Sequence, residues 1–173
     1  VGIACVSSVT AAAERVTLSG GVVDVLYAPN DDITMYVVDF ISKAQRRVWL
    51  AAYSFTNPDI AQAVSQAKAR GLDVRVIVDS DKVGEKYSGA TYLRNAGVPV
   101  WVNNRHAIFH HKFVICDDDR VGFGSANFTR AGMPRRLDAK NANAENFNLF
   151  VGAPGLVKQY AAEFERLAAE SSR

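Results

Sequence analysis

His110-His111-Lys112-Phe113-Val114-Ile115-Cys116-Asp117, followed by Gly124-Ser125-Ala126-Asn127, is the stretch on which the reading of this chain turns. Its pattern is H-x-K-x4-D and then G-S-x-N. The residues around His110 (Ile108, Phe109, Phe113, Val114 and Ile115) form a β-branched and aromatic run that predicts a strand. Side chains alternate across a strand, which places His110 and Lys112 on one face and His111 on the other. Asp117-Asp118-Asp119-Arg120 has turn chemistry, and Val121-Gly122-Phe123 predicts a short return strand. Such a hairpin brings Ser125 and Asn127 back towards the level of His110, with Gly124 allowing close backbone approach. An imidazole, an ammonium, a hydroxyl and an amide gathered in this way suit the handling of a phosphate ester.

Working outwards, strands and helices alternate. Val22 to Tyr27 predicts a strand, and Asn30 or Asp31 a cap for a helix whose apolar positions Ile33, Tyr36, Val37, Phe40 and Ile41 recur at helical spacing. Val48 to Tyr53 is an apolar strand. Asn57-Pro58-Asp59 opens a second helix that closes at Gly71. Val74 to Val78 predicts a strand, Ala90 to Asn95 a helix, Val98 to Val102 a strand. Beyond the cassette come a loop over Gly132 to Asn143, a strand over Phe147 to Val151 and an amphipathic helix over Leu156 to Ala169. The pattern implies an α/β fold, a mixed sheet covered by helices, in one domain over residues 21–173.

Composition sets limits. The chain has 173 residues, nearly half of them apolar, enough for a proper core. A formal charge of +2 gives little general support for a polyanionic partner, so any such argument rests on local charge. Cys5 and Cys116 are far apart and form no CxxC pair, which argues against a zinc site or a disulfide framework; Cys116 reads as a core thiol. Residues 1–20 have the make-up of a secretory-signal remnant or of an ordinary strand-forming terminus. The first reading implies a periplasmic or secreted protein, the second leaves a cytoplasmic one open. No apolar run approaches the roughly 20 residues of a membrane helix. Metal is not implied: His110 and His111 diverge, no HExxH occurs, and Asp117-Asp118-Asp119 reads as a solvated hairpin tip.

The joined motif resembles the signature of the phospholipase D superfamily, every position of which is present. Ala52-Tyr53-Ser54-Phe55-Thr56-Asn57-Pro58-Asp59-Ile60, the Gly71-to-Asp79 strand and Glu145-Asn146 further resemble its small bacterial endonucleases, with one motif per chain. The resemblance implies an α/β/α sandwich with helices on both faces of the sheet. It also implies a homodimer in which two copies of the motif meet across a two-fold axis, and no cofactor.

Phosphodiester hydrolysis needs a nucleophile and a proton donor for the leaving oxygen, and one imidazole cannot be both at once. His111 faces away and His106 lies in an upstream loop, whereas a two-fold dimer supplies a second His110. On this reading one His110 forms a phosphohistidine and the other protonates the leaving group. Lys112, Ser125 and Asn127 hold phosphate oxygens. Glu145 resembles the family carboxylate that accepts a hydrogen bond from the histidine and fixes its tautomer, and Asp117 completes the catalytic signature, its place at the strand end favouring a turn-stabilising or ion-pairing role over direct substrate contact. Phe128 and Thr129 shape the pocket or pack the core. Arg105, Arg130, Arg135, Arg136 and Lys140 surround the cassette and form a basic rim suited to a nucleic-acid backbone. The expected activity is a non-specific endonuclease acting on DNA, with RNA a second candidate. A phospholipid hydrolase and a catalytically silent nucleic-acid-binding module are the alternatives.

Overall fold

Strand β2 (Arg47–Ala52) is apolar at almost every position, and both of its faces are covered. Val48, Leu50 and Ala52 enter one core, Trp49 and Ala51 the other, which is what a strand in the middle of a two-sided sheet requires. The structure, a computed structural model, describes residues 15–84 and 88–173, with the side chains of 137–139 also outside the description. Most of the 1–20 segment, and Cys5 with it, lies outside the described residues.

Around β2 the chain forms β1 (Val22–Ala28), α1 (Ile33–Ser42), α2 (Pro58–Ala69), β3 (Asp73–Asp79), α3 (Gly89–Asn95), β4 (Val100–Asn103), β5 (Lys112–Cys116), β6 (Arg120–Gly124), β7 (Glu145–Val151) and α4 (Pro154–Ala169). The seven strands make one mixed sheet in the order β1-β7-β6-β5-β2-β3-β4. β2, β3 and β4 run parallel, and the remaining pairs are antiparallel. Buried residues of α1, α2 and α3 pack on one face, while Val157, Phe164 and Leu167 of α4 pack on the other. Helices therefore cover both faces, as expected. Among the described residues no helix is long and apolar enough to cross a membrane.

Several boundaries differ from those expected, each for a local reason. Helix α1 is capped by Asp32, which accepts the Met35 N–H at 3.0 Å, whereas Asp31 accepts that of Tyr27. β4 starts at Val100 because the Val98 N–H closes α3 onto Leu93 and Pro99 has none to give. A short 3₁₀ turn over Arg136–Asn141 interrupts the expected long loop.

The acidic run Asp117-Asp118-Asp119 is more than a solvated tip: Asp118 is exposed, yet the run makes anchoring contacts. Asp117 adopts a left-handed backbone (φ 62°), and its carboxylate accepts the N–H groups of Gln45, Arg46 and Arg47. Asp118 forms ion pairs with Arg46 and Arg47. These contacts fasten the β5–β6 hairpin to the start of β2. Asp117→Ala strips the acceptor from three amides and strains the left-handed backbone, and should cost about 2–4 kcal/mol. Asp117→Asn, which keeps a carbonyl acceptor, should lose roughly half as much. Urea unfolding checks this, and an alanine variant as stable as the parent would refute the anchoring role.

Candidate active site

The register of the sheet gathers the cassette at one end of its strands. Ala52 at the end of β2 lies opposite Lys112 at the start of β5, Gly124 opposite Phe147, and Glu145 opposite Ala28. The strand expected through His110 begins two residues later, at Lys112. Backbone groups upstream are used elsewhere: Phe109 N–H donates to the Asp79 carboxylate at 2.6 Å, and the His110 carbonyl accepts from Lys112 Nζ at 2.9 Å. The ladder with β2 ends where Tyr53 N–H meets the His111 carbonyl, 2.9 Å away.

His110 and Lys112 converge on one aromatic ring. The His110 imidazole is exposed and lies 5.0 Å from the Tyr53 ring, centroid to centroid. Lys112 is only 8% exposed, and its Nζ lies 5.5 Å from the same centroid, where the ring face attracts a cation. Burial holds the lysine below its ordinary pKa, and the charge of Glu145 works against that shift. Lys82, on the turn after β3, brings a second ammonium to 5.3 Å from the Tyr53 centroid. Tyr53 is absent from the site expected from sequence, where it reads only as the last residue of an apolar strand.

Ser125 is tied to Glu145. Its hydroxyl donates to Glu145 Oε2 at 2.5 Å and accepts the Asn146 N–H at 3.0 Å. Asn143 donates to the other carboxylate oxygen at 3.1 Å. Among the described residues of this chain Glu145 is hydrogen-bonded by Ser125 and Asn143. Gly124 makes the approach possible, because a Cβ there would collide with the Asn146 carbonyl and come within 2.8 Å of Phe147 Cα. Asn127 follows on a loop that Gly132 closes, and its Oδ1 is buried without a partner among the described residues. Phe128 is fully buried in the core, and Thr129 Oγ1 accepts the Gly132 N–H, so both hold the loop rather than face the site.

Other expected site residues lie elsewhere. Asp117 stands at the far end of β5, about 16 Å along the strand from Lys112 at 3.3 Å per residue. His111 packs edge-on between Phe109 and Phe113, with Glu163 of α4 at 4.0 Å, and burial lowers its pKa. His106 is bound to Glu170 at 2.6 Å. Of the basic rim, Arg105, Arg130, Arg136 and Lys140 are exposed, while Arg135 pairs with Asp59 at 3.7 Å and donates to Met35 Sδ. Among the described residues no group of three His, Cys, Asp or Glu side chains could hold a metal. Cys116 is fully buried, and burial pushes its thiol far above the ordinary range.

A cleft of about 640 Å³, mostly apolar, adjoins the cassette and is lined by Thr56, Asn57, Pro58, Ser88, Tyr92 and Arg130 among others. The N–H groups of Thr56 and Asn57 both donate to the Phe128 carbonyl, so cleft and Asn127 loop share a wall.

The lowered pKa of Lys112 makes stability depend on pH with a definite sign. Between its folded value and the ordinary 10.5, the unfolded chain binds more protons at this residue than the native state. Stability from this group therefore rises with pH across that window. Lys112→Met should remove this rise and raise the thermal midpoint by a few degrees at neutral pH, roughly 1 kcal/mol of relieved desolvation. Denaturation midpoints of both proteins from pH 8 to 11 test it; parallel pH profiles would contradict it.

Comparison with known proteins agrees with this arrangement. A family model described as cardiolipin synthase, PLD-like domain, matches residues 37–168. A mitochondrial cardiolipin hydrolase of Xenopus tropicalis is 38% identical over 125 residues, covering 72% of this chain and 56% of that protein. A phospholipase D of Rickettsia conorii is 32% identical over 129 residues, covering 75% and 61%. The matched part is therefore about three-fifths of the length of these relatives. Among solved structures, Nuc of Salmonella typhimurium, a phospholipase D family member, superposes with a TM-score of 0.78 at 28% identity over 87% of this chain and 96% of that one. NucT from Helicobacter pylori shares the fold, with a TM-score of 0.76 at 24% identity over 88% and 98%. A complete H-x-K-x4-D and G-S-x-N cassette, on a sheet that superposes on Nuc and inside a matching domain model, places the chain in the phospholipase D superfamily as a PLD-like domain.

Proposed function

We propose that this phosphodiesterase is a non-specific endonuclease that hydrolyses DNA, with RNA as a second substrate class, without a metal ion and in a site shared by two copies of the chain. The observation that carries the proposal is the pairing of an exposed His110 imidazole with the buried Lys112 ammonium against one Tyr53 ring. A phosphoryl group beside them meets a nucleophile and a cation together. His110 attacks phosphorus, an N–P bond forms as the P–O bond to the leaving group breaks, and the His110 of the second copy gives that oxygen its proton. The same second imidazole then takes a proton from water, whose oxygen displaces His110 from phosphorus.

Lys112 neutralises the equatorial oxygens and the Asn127 amide donates to them, while the Ser125 hydroxyl, whose one proton goes to Glu145 in the free protein, joins them by turning to the phosphate. A buried amide oxygen without a partner costs about 1–3 kcal/mol; at Asn127 Oδ1 a water molecule can donate to it, while the Nδ2 group is the donor for a phosphoryl oxygen. Glu145 orients Ser125 and balances the charge of Lys112. Asp117 acts through the fold, by fixing the hairpin. Arg105, Arg130, Arg136 and Lys140 extend positive charge around the cassette, and Arg135 contributes less because Asp59 shares it. The similarity to Nuc supports the nuclease reading.

A second reading, phospholipid hydrolysis by the same chemistry, is favoured by the apolar cleft beside the Asn127 loop and by the relatives named phospholipase D and cardiolipin hydrolase. Plasmid DNA, single-stranded DNA, phosphatidylcholine and cardiolipin vesicles, each incubated with the protein and with His110→Asn, separate the two. DNA should be cut without EDTA sensitivity, and His110→Asn should lose roughly 10³-fold in rate. Lipid turnover without DNA cleavage would establish the second reading. Sedimentation should give twice the 18.8 kDa chain mass, and an active monomer would overturn the shared site.

A further inference from the structure

Asp79, the last residue of β3, is only 3% exposed, and both of its carboxylate oxygens accept backbone amides. Oδ1 takes the Asp81 N–H at 2.8 Å, and Oδ2 takes that of Phe109, the residue before His110, at 2.6 Å. His110 itself lies outside the strands, between β4 and β5, so no ladder sets its place. Its backbone is fixed by single bonds on either side. Downstream, the His110 carbonyl accepts from Lys112 Nζ and the His111 carbonyl from the Tyr53 N–H, each at 2.9 Å. Upstream, Phe109 is held at two points, by its N–H on Asp79 and by its ring, 1% exposed in the core on the α4 side. Two points of attachment fix the direction in which the chain leaves Phe109 and enters His110.

We propose that Asp79 is a positioning residue for the nucleophile, aiming the His110 imidazole at phosphorus through the Phe109 amide. The proposal rests on the reading of His110 as the attacking group. The imidazole is exposed, with the Tyr53 ring 5.0 Å away, so its aim is inherited from the backbone beneath it. Attack demands reacting atoms about 3–3.5 Å apart and in line, and a misplacement of about 1 Å can cost roughly 10²-fold in rate. A carboxylate suits the task, because a charge-assisted bond is shorter and stronger than a neutral one and burial keeps water from competing for the amide. The groups that bind phosphate stand on other elements, Lys112 on β5 and Ser125 and Asn127 after β6. Loss of Asp79 therefore acts on attack and leaves binding in place.

The test uses bis(4-nitrophenyl) phosphate, a diester whose leaving group departs without a proton, so that turnover reports attack whatever the natural substrate. In Asp79→Ala, kcat per folded molecule should fall about 10²-fold, with KM within about twofold of wild type. Asp79→Asn, which leaves one acceptor for two amides, should fall less. The imidazole NMR resonances of His110, identified by their loss in His110→Asn, should shift or broaden in both variants. A carboxylate that served only stability would lower the unfolding midpoint and change none of these readings. Wild-type kcat in the folded variants, a loss carried by KM alone, or unmoved His110 resonances overturns the proposal and leaves the reading of His110 intact. Turnover that is absent from wild type, or that persists in His110→Asn, overturns that reading and the role of Asp79 with it.

Discussion

Lys112 is an ammonium group placed at the head of a central strand. β5 lies between β2 and β6, and the residues that share its parity, Val114 and Cys116, are fully buried. A cation in such a position is costly unless it is compensated. Within the chain it has a carbonyl oxygen, a ring face and the charge of Glu145, and burial still lowers its pKa. The free protein thus holds a cation that an anion would stabilise, a device of the kind that trades native stability for electrostatic readiness. The surrounding geometry holds that group at the end of the central strands.

Two aspartates do much of that holding, from opposite ends. Asp79 ties the β3 turn to the segment that carries His110, and Asp117 ties the β5–β6 hairpin to the start of β2. The Asp79 carboxylate satisfies amides from two separate stretches, Asp81 and Phe109, and the Asp117 carboxylate satisfies three consecutive amides far away in sequence, Gln45 to Arg47, so that each removes slack between the segments it joins. The motif's aspartate is therefore conspicuous in the pattern because the hairpin register depends on it. Its place five residues beyond Lys112 puts it at the other end of the strand, where it fastens the hairpin to the start of β2.

Much of this could be read from the residues. Helical spacing from Ile33 to Ile41, the Asn57-Pro58 start of α2 and the Gly71 stop locate two helices, because these signals act within a few residues. The division of His110 and Lys112 from His111 needs only strand parity, and the contacts of His111 with Phe113 and Glu163 on the α4 side match it. What escaped was set over long separations. That Phe109 gives its N–H to Asp79, thirty residues earlier, ends the strand before His110, and no local propensity carries that information. Tyr53 looks like any aromatic at the end of an apolar strand until the pairing of Ala52 with Lys112 sets it beside His110. Glu145 was expected at a histidine; within one chain the close approach at Gly124 brings Ser125 to its carboxylate, a contact that no local signal announces.

The three histidines of the chain explain why a shared site is the economical proposal. His106 is engaged by Glu170, which also accepts from Asn103 and Arg166, so it is held against α4 by a network of charge. His111 is turned to the same side, wedged between two phenyl rings, and burial lowers its pKa, which disfavours the protonated form a proton donor needs. His110 alone stands exposed on the side of Lys112. Moving either of the others to its side would need a reversal of strand parity or the loss of the Glu170 contacts, each of which disrupts the α4 packing. A second copy brings a second His110 already backed by its own Tyr53 and Lys112, with no rearrangement of the fold. Proton transfer at both stages of hydrolysis then follows from one sequence used twice.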